Sequence, residues 1–427
     1  MLRHRDFVIT QAGFMEQRPQ FDVVIVGAGL IGSSIAYHLS QRKETLGDIA
    51  LMDLDFSGKF SSSELNAGGI RAEWWHQVNI DLSKATLAFM EKNPDEFGFR
   101  QNGYLWLFDR KLWQVYKAHS DIFKRNCLAI KELTPKEVTA WIPCMDRMEG
   151  VEGAILMPND GIFNPNLLKQ YYRRCAKKNG VSFLDGAFVE NIVKKNKRVE
   201  IVYRDIQGLS GRHDERKLLE ILTQKKIRHS EEKKRLECGI LVNACGAWAV
   251  QLAAMYGHRV PCQPIRRQVS IFDCRNLDLS LYGMIVDTSG VYFHAEADHV
   301  LAGYATPDEP TGYNFKYDGD LFFEKEIWPR LMNRMSLAEA LKHVTGWAGL
   351  YSQTPDRSGI LGRVDPDYCI YEAHSFTGRG AMQSYGVGLA LSELIGDGRF
   401  HSIQADALHP NRFHKPSGKL LYEGFYI

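Results

Sequence analysis

The sequence predicts a mixed α/β fold, and three neighbouring features near its start carry that prediction. Residues 21–26 read FDVVIV, a β-branched run typical of a strand buried on both faces of a parallel sheet. The glycine-rich segment 27–32 follows directly, and apolar residues then recur at helical spacing: Ile31, Ile35, Ala36 and Leu39. A strand, a glycine turn and a helix in this order open a Rossmann-type nucleotide-binding domain.

The glycine-rich turn has the spacing of a phosphate-binding motif. Gly27 allows the tight turn, Gly29 lets the backbone approach a pyrophosphate, and Gly32 permits close packing of the helix on the strand. Leu30 and Ile31 begin the predicted helix, whose unpaired N–H groups attract phosphate. The motif therefore predicts a bound dinucleotide, but by itself it does not distinguish NAD from FAD.

A second strand supplies an acid for the ribose of that dinucleotide. Residues 49–54 read IALMDL, so Asp53 and Leu54 close the strand. Asp53 follows the last glycine of the motif by 21 residues, a separation at which this fold places an acid that accepts hydrogen bonds from a ribose diol.

Composition narrows the class of protein. The chain has 427 residues, of which 44% are hydrophobic and 24% charged, and these values exclude a disordered chain, a collagen-like repeat and a pure coiled coil. Its formal net charge of +2 gives no electrostatic reason to expect nucleic acid or an anionic membrane as partner. A small molecule is therefore the expected ligand.

The cysteines and the apolar segments exclude several further classes. The eight cysteines form no CxxC pair, so no metal site is expected, and we interpret them as reduced thiols. No segment approaches the run of about 18 apolar residues that spans a bilayer, and residues 1–20 lack a secretory apolar run. We expect a cytoplasmic protein, or a protein of the mitochondrial matrix if the source is eukaryotic.

Five further stretches of the chain, spread between residues 61 and 380, resemble those of one flavoprotein family. They are residues 61–71 (SSSELNAGGIR), residues 161–165 (GIFNP), the strand that contains Val189, residues 243–248 (NACGAW), and the pair 346–356 (GWAGLYSQTPD) and 375–380 (SFTGRG). Together they resemble the FAD-dependent amine and amino-acid oxidoreductases of the D-amino-acid oxidase/sarcosine oxidase superfamily. The resemblance covers about residues 20–400 and is closest to sarcosine oxidase β-subunit-like members.

This resemblance implies a Rossmann-type FAD-binding domain interleaved with an antiparallel-sheet substrate domain. The FAD-binding domain is expected at 21–89, 150–254 and 345–400, with a charged insertion at 204–237; the substrate-binding domain at 90–149 and 255–344; and terminal extensions at 1–20 and 401–427. Short aromatic runs at 290–294 and 300–304 fit strands of the substrate domain. Because the sequence holds no second glycine motif, electrons are expected to reach the flavin directly from a bound substrate.

The resemblance also implies which residues hold FAD. They are Gly27, Gly29, Leu30, Ile31, Gly32, Asp53, Leu54, Ser61, Ser62, Asn66, Ala67, Gly68, Gly69, Val189, Ala244, Gly246, Trp248, Gly349, Gly378, Arg379, Gly380, Ala381 and Met382. Relatives that tether FAD through cysteine or histidine carry those residues where this chain has Gly349 and Asn66. Non-covalent FAD is therefore expected.

An amino-acid substrate needs a cation for its carboxylate, and Arg71 is the first candidate. It follows the flavin-side glycines, and its planar fork suits bidentate carboxylate binding. The alternative is that Arg71 ties one loop to another. Arg266 and Arg267, in PIRRQ, resemble a family strand at the domain junction and are expected to be structural.

Three other residues are candidates for catalysis. Tyr292 and His294 alternate with Phe293 and so share one sheet face, where either would orient or deprotonate an amine or simply pack. Arg379 precedes a predicted helix and would add positive charge where the reduced flavin becomes negative, unless it is a surface arginine beside a glycine turn.

The charged insertion is expected to be a helix on the surface, because Leu218, Leu219 and Leu222 recur at near-helical spacing among mixed charges. A docking surface for a partner subunit or an electron acceptor is the alternative. In either case deletion of residues 210–236 is expected to spare FAD binding.

These features predict an FAD-dependent oxidoreductase that oxidises the C–N bond of an amino acid or N-methyl amine by hydride transfer to flavin N5, with electrons passing on to O2 or a carrier. The lysines of sarcosine oxidases correspond to Leu301 and Met382, and the carboxylate-binding arginine of glycine oxidases to Tyr351. The choice between oxidase and dehydrogenase therefore stays open. A non-catalytic or assembly-factor flavoprotein of the same fold and an NAD-linked dehydrogenase are the alternatives.

Overall fold

The computed structural model describes residues 19–206, 212–224, 232–273, 277–414 and 419–425. Its strands are β1 (Gln20–Val26), β2 (Ile49–Met52), β3 (Gly69–Ile70), β4 (Tyr104–Phe108), β5 (Lys131–Leu133), β6 (Gly153–Met157), β7 (Gly161–Ile162), β8 (Ser182–Leu184), β9 (Ala187–Lys195), β10 (Arg198–Asp205), β11 (Lys233–Asn243), β12 (Gln263–Asp273), β13 (Met284–Val286), β14 (Tyr292–Glu296), β15 (His299–Tyr304), β16 (Lys342–Gln353), β17 (Ile360–Asp365) and β18 (Ile370–His374). Its α-helices are α1 (Leu30–Ser40), α2 (Lys43–Leu46), α3 (Gln77–Met90), α4 (Arg110–Arg125), α5 (Pro135–Trp141), α6 (Pro165–Lys178), α7 (Arg212–Gln224), α8 (Ala249–Met255), α9 (Asp320–Phe322), α10 (Trp328–Met332) and α11 (Gly380–Asp397). The leader at 1–18 lies outside the described residues.

The first sheet has the Rossmann-type arrangement that the glycine motif predicts. Its order is β17-β18-β11-β1-β2-β8, in which β18, β11, β1, β2 and β8 pair in parallel. The hairpin of β9 and β10 extends this sheet through antiparallel pairing with β11. Val23 and Ile25 of β1 pack in one apolar cluster and Val24 and Val26 in another, so both faces of the strand are buried.

The second sheet is mostly antiparallel, with the order β16-β12-β15-β14-β13-β4-β6-β5. Its neighbouring strands pair antiparallel except β13 and β4, which run parallel. Alternation along β14 sends Phe293 into the apolar cluster on one side of this sheet and Tyr292 into an aromatic cluster on the other. This arrangement of two sheets confirms the predicted fold class.

Two strands lie in a different sheet from the one expected. β6 and β16 pair with β4 and β12 of the second sheet, although residues 150–254 and 345–400 are expected with the first. The reason is pairing at long range, since β16 pairs with β12 from Lys342↔Asp273 to Gln353↔Gln263. The chain therefore leaves the second sheet only after Gln353.

The insertion helix α7 is partly buried, which differs from the solvated helix expected. Leu218 and Ile221, one helical turn apart, are 2% and 1% exposed. The backbone carbonyl of Leu222 accepts a hydrogen bond of 2.9 Å from Trp248 Nε1. The rest of the insertion between β10 and α7 and between α7 and β11, at 207–211 and 225–231, lies outside the described residues.

Part of the predicted C-terminal extension packs into the body of the protein. In the segment 419–425, which we call the C-terminal segment, Phe425 is 2% exposed and contacts the rings of Trp75, Trp106 and Phe108. The Glu423 side chain is also buried and accepts a hydrogen bond of 2.6 Å from Asn79 Nδ2. This segment is therefore part of the fold around the candidate site described below.

The described residues bear on three expectations, those for membrane spans, metal sites and disulfides. None of their helices combines the length and the apolar character that crossing a membrane requires. No group of three or more His, Cys, Asp or Glu side chains among them is arranged to hold a metal ion. The cysteines found there are free thiols, and Cys274 lies outside them.

Burial of His38 between α1 and α11 makes stability depend on pH. Its ring packs against Tyr385 at 4.6 Å, and desolvation lowers its pKa from 6.5 to about 3. Because the folded state keeps this ring neutral, its contribution is fully present above pH 6.5 and is lost as pH falls towards 3. We expect His38→Leu to reduce the loss of unfolding free energy between pH 7.5 and pH 5.5 by about 1 kcal/mol, measured by urea denaturation.

The exposed His414 provides the matched control for that measurement, because His414→Leu removes an imidazole without removing a buried one. The change in the pH dependence of the unfolding free energy should be larger in His38→Leu than in His414→Leu. An unchanged dependence in His38→Leu would contradict the prediction.

Candidate functional site

A single cavity runs between the two sheets, from the glycine motif to the aromatic face of the second sheet. Its wall includes Gly27 and Asp53 at one end, and Tyr292 of β14 and Arg267 of β12 at the other. Most predicted cofactor residues line it: Gly27, Gly29, Leu30, Ile31, Asp53, Leu54, Ser61, Ser62, Asn66, Ala67, Gly69, Val189, Ala244, Gly246, Trp248, Gly349, Gly378, Arg379, Gly380, Ala381 and Met382. Gly32 and Gly68 are not among the residues that line the cavity.

The glycine motif has the geometry that a pyrophosphate requires. Gly27 has φ +104°, and a Cβ there would overlap the carbonyl oxygen of Ala244. A Cβ on Gly32 would overlap the carbonyl oxygen of Gly27, so this glycine serves the packing of helix on strand. At Gly29 a Cβ would meet only Ser63 Oγ, at 3.3 Å, on the cavity side. These positions bring the start of α1 to the cavity wall, where the backbone N–H of Leu30 donates to Ser63 Oγ at 2.8 Å and the helix N-terminus would attract an anion.

Asp53 closes this end of the cavity. Its carboxylate accepts hydrogen bonds from the backbone N–H of Ala28 at 2.5 Å and of Asp55 at 3.2 Å. Burial raises the pKa of this carboxyl, partly offset by these hydrogen bonds and by the nearby Arg173 guanidinium. The side chain is thus held beside the glycine turn, where a ribose would contact it.

Arg173 of α6 is a cavity residue that the sequence did not reveal. Its guanidinium donates to Ser33 Oγ at 3.1 Å and to the Phe56 carbonyl at 2.6 Å, and it also contacts the Ala28 carbonyl. It therefore places a positive charge next to the phosphate-binding turn. Helical spacing alone does not show which face of α6 meets the first sheet.

Two of the stretches that carry the resemblance line the same cavity: residues 61–71, which we call the early loop, and residues 375–380, which we call the late turn. Asn66 Oδ1 accepts a hydrogen bond of 2.6 Å from the backbone N–H of Gly68, which shapes the early loop. Ser62 Oγ donates to the carbonyl of Leu350 at 2.5 Å, joining that loop to β16. In the late turn Thr377 and Gly378 have φ of +45° and +80°, and α11 begins immediately afterwards.

Arg71 is neutralised by the protein itself. Its Nη1 lies 2.9 Å from Glu73 Oε1, its Nη2 donates to the Phe425 carbonyl at 2.6 Å, and its guanidinium stacks 3.7 Å from the Trp74 ring centroid. Arg71 thus joins its own loop to the C-terminal segment. These contacts agree with the loop-to-loop alternative, but Arg71 also lines the cavity and its Nε has no hydrogen-bond partner among the described residues, so a contact with a substrate carboxylate stays a prediction.

Arg379 is buried, which differs from the alternative of a surface arginine. It is 4% exposed, lies 4.5 Å from the Trp74 ring centroid, and has Glu423 Oε1 at 4.0 Å. Burial lowers its pKa to about 10, so it remains a cation at neutral pH. Nη2 has no hydrogen-bond partner among the described residues, which leaves one donor for a ligand.

Tyr292 and His294 have different surroundings although they share a sheet face. Tyr292 lines the cavity, and burial raises the pKa of its hydroxyl. His294 does not line the cavity: its ring nitrogens lie 2.8 and 2.9 Å from the carbonyl oxygens of Ala295 and Ala67. Both ring nitrogens of His294 contact backbone carbonyl oxygens, and the ring is buried away from the cavity. His294 therefore holds the loop at Ala67 and is not placed to act on an amine.

Arg267 of β12 lines the cavity where it meets the second sheet. It donates to the Arg266 carbonyl at 2.9 Å and lies 5.3 Å from the Tyr351 ring centroid. No carboxylate of a described residue lies within ion-pair distance, and its buried Nε has no hydrogen-bond partner there. Arg266 points elsewhere and pairs with Glu309 and Asp318 at 2.6 and 2.9 Å. The expectation that both arginines are structural is therefore supported only for Arg266.

Buried charges also lie behind the late turn. Glu372 and His374, two residues apart on β18, are 3.3 Å from each other, and Glu372 Oε1 also accepts from Tyr256 at 2.6 Å. Although burial acts against it, contact with Cys262 and Glu372 raises the pKa of His374 to about 9. His374 Nδ1 in turn lies 2.7 Å from Ser375 Oγ, so these residues hold the late turn in place.

The fold and the cavity define a dinucleotide-binding oxidoreductase. The chain belongs to the FAD dependent oxidoreductase family (DAO), whose model matches residues 22–394. The predicted superfamily and the predicted cofactor, FAD, are thereby confirmed, and the NAD-linked alternative is set aside. The protein is accordingly an FAD-dependent oxidoreductase.

Individual relatives agree with this assignment. FAD-dependent oxidoreductase domain-containing protein 1 of Bos taurus is 29% identical over 422 residues, covering 92% of this chain and 85% of the bovine protein. Sarcosine oxidase subunit beta of Rhodobacter capsulatus is 20% identical over 394 residues, covering 90% and 86%. The crystal structure of L-proline dehydrogenase from P. horikoshii shares the fold, with a TM-score of 0.78, 23% identity, and coverage of 93% of this chain and 99% of that one.

The residues present fit FAD. A Cβ at Gly27 would overlap the backbone of Ala244, so the turn at the cavity wall has to be bare of a side chain there, and the cavity continues without interruption from this turn to the second sheet. Arg379 has a buried nitrogen without a partner among the described residues. When bound, FAD supplies the group that accepts two electrons from a substrate.

Proposed function

We propose that this FAD-dependent oxidoreductase oxidises the C–N bond of a small amine that carries a carboxylate, an amino acid or N-methyl amino acid. The observation that carries the proposal is Arg267, a half-buried arginine on the cavity wall whose Nε is buried without a hydrogen-bond partner and which has no acidic partner among the described residues. A cation held partly out of water in this way is stabilised when an anion binds to it. A substrate carboxylate would be that anion.

The surroundings of Arg267 suit such a substrate. Tyr292 and Tyr351 line the same end of the cavity, with Val269 and Met284 as apolar neighbours. Burial raises the pKa of both tyrosine hydroxyls, so they stay protonated at neutral pH and donate hydrogen bonds. The fork of Arg267 and these hydroxyls would fix the orientation of the substrate, which is a large part of the work in such a reaction.

The tyrosines at this end of the cavity also bear on how the substrate would lose its ammonium proton. Tyr104, Tyr292 and Tyr351, the tyrosines among the described residues at this end, hold their own protons because burial raises their pKa values. None of them accepts a proton at neutral pH. The amine therefore has to bind in its neutral form, or lose its proton to water, before the C–H bond breaks.

The test is anaerobic bleaching of the flavin absorbance by matched pairs of compounds. Sarcosine is compared with dimethylamine, D- and L-alanine with ethylamine, and L-proline with pyrrolidine. We expect rapid bleaching only by members that carry a carboxylate, with a rate constant that rises with pH as the amine is deprotonated. Equal bleaching by the compounds without a carboxylate would contradict the role of Arg267, and no bleaching by any compound would favour the non-catalytic flavoprotein.

The same samples identify the electron acceptor. Admission of air to the bleached protein gives the rate of reoxidation by O2. Reoxidation on the time scale of bleaching supports an oxidase, whereas slow reoxidation that an added quinone or dye accelerates supports a dehydrogenase with a carrier or partner subunit.

A further inference from the structure

We propose that the insertion helix α7 forms a wall of the adenosine end of the FAD site, with Ile221 and Leu222 as its contact residues. Both side chains line the cavity. This assignment concerns cofactor retention and does not depend on which amine is oxidised.

The position of Asp53 identifies the end of the cavity that α7 closes. In a Rossmann-type sheet the acid at the end of the second strand binds the ribose of the adenosine half. The backbone N–H of Ala187 donates to the carbonyl of Asp53 at 2.9 Å, so the start of β9 lies beside that acid. Phe188 and Val189 continue the wall from there. Since Ile221 and Leu222 share this cavity and lie next to Trp248, they belong to the adenosine end.

Helix α7 is attached to this end at two places. Trp248 Nε1 donates to the Leu222 carbonyl at 2.9 Å, and the Trp248 ring stacks on Tyr313 with centroids 5.7 Å apart. Lys59, in the loop after β2, forms an ion pair with Glu215 of α7. The helix thus bridges the loop that follows Asp53 and the residues that follow β11.

The side chains of α7 divide into a buried face and a charged face. Leu218 and Ile221 point inwards and are almost completely buried, whereas Arg216 and Glu220 pair with each other at 3.2 Å on the exposed side. The charged pair Arg216–Glu220 of α7 therefore lies on its outer face. Leu222, which is half-buried on the cavity wall, offers apolar area that an adenine ring would remove from water, and the almost fully buried Ile221 supports that surface from behind.

This proposal reverses the expectation that deletion of residues 210–236 spares FAD binding. The sharper test is Ile221→Glu in the full-length protein, freed of FAD and titrated with FAD, ADP and riboflavin. ADP occupies only the adenosine end, and riboflavin only the flavin end. We expect the dissociation constants of FAD and ADP to rise at least tenfold, and that of riboflavin to stay within twofold.

Glu220→Gln is the matched control, because it changes the neighbouring residue on the exposed face of the same helix. All three dissociation constants should stay within twofold of the wild-type values. Unchanged ADP binding in Ile221→Glu, or equal weakening of all three ligands, would overturn the proposal.

Hydrogen exchange of the wild-type protein gives a second measurement that needs no variant. Exchange of the backbone amides at 212–224 should slow when ADP is added and stay unchanged when riboflavin is added. Exchange in this helix that ignores ADP would also overturn the proposal.

Discussion

Arg267→Met is expected to raise the KM of the best substrate in the amine panel by about 100-fold, while the protein keeps its FAD. Methionine fills a similar volume but removes the charge, and truncating one partner of a desolvated charge pair costs about 2–5 kcal/mol. Because the predicted FAD contacts lie in the glycine turn and the late turn, and none lies on β12, the flavin absorbance should persist. Anaerobic bleaching as a function of substrate concentration measures the effect.

Two further variants make that result specific. Arg267→Lys keeps the charge but lacks the fork, so its KM should lie between the wild-type and the methionine values. Arg71→Met removes the cation that Glu73 already neutralises. A large rise of KM in Arg71→Met together with an unchanged KM in Arg267→Met would show that Arg71 is the carboxylate anchor and that the proposal is wrong.

Glu423→Ala is expected to lower the free energy of unfolding by about 3–5 kcal/mol, because it leaves a buried cation without its partner. Glu423 lies 4.0 Å from Arg379 Nη1 and accepts hydrogen bonds from Asn79 Nδ2 at 2.6 Å and from the backbone N–H of Trp75. Arg379 and Asn79 are buried, so water does not readily replace the lost carboxylate beside them. Urea denaturation of the FAD-loaded protein measures the change.

The neighbouring residue Tyr422 supplies the control, because it is 56% exposed. Tyr422→Ala should change the free energy of unfolding by less than about 0.5 kcal/mol. Equal stability of Glu423→Ala and the wild type would show that the C-terminal segment does not stabilise the site.

Local sequence patterns were sufficient to predict the nucleotide-binding end of the molecule. The strand, the glycine turn and Asp53 lie within a few dozen residues, and each residue type has a backbone or hydrogen-bonding reason for its position. Sheet membership was harder to predict because it depends on distant partners. β16 pairs with β12, so the segment around Gly349 belongs to the second sheet although its motif suggested the first.

The sequence could not identify the free cation at the substrate end. Arg71 and Arg267 are both preceded and followed by plausible cavity residues, and only the folded chain shows that Glu73 and Phe425 occupy Arg71. Arg266 and Arg267 are adjacent, and alternation along a strand sends one to Glu309 and the other to the cavity. A sequence shows that alternation but not which face meets the ligand.

In the insertion helix α7, too, the sequence shows the periodicity of the element but not which of its faces is buried. Its leucines indicated helical periodicity, but Leu218 and Ile221 are buried and Leu222 accepts a hydrogen bond from Trp248, which follows β11. A short apolar stripe in a charged helix is compatible with solvent or with a binding surface. Its tertiary contact decides between them.

The C-terminal segment also governs the order in which the protein can mature during translation. Arg71 obtains a hydrogen-bond acceptor from Phe425, which lies 354 residues later in the chain. Until the segment around Phe425 has been synthesised, Arg71 and Arg379 therefore lack partners that they have in the folded protein. Domains generally fold as they emerge, N-terminal parts first. The first sheet itself needs β18, which ends at His374, and the two buried arginines obtain their partners later still, once the segment around Phe425 has been synthesised.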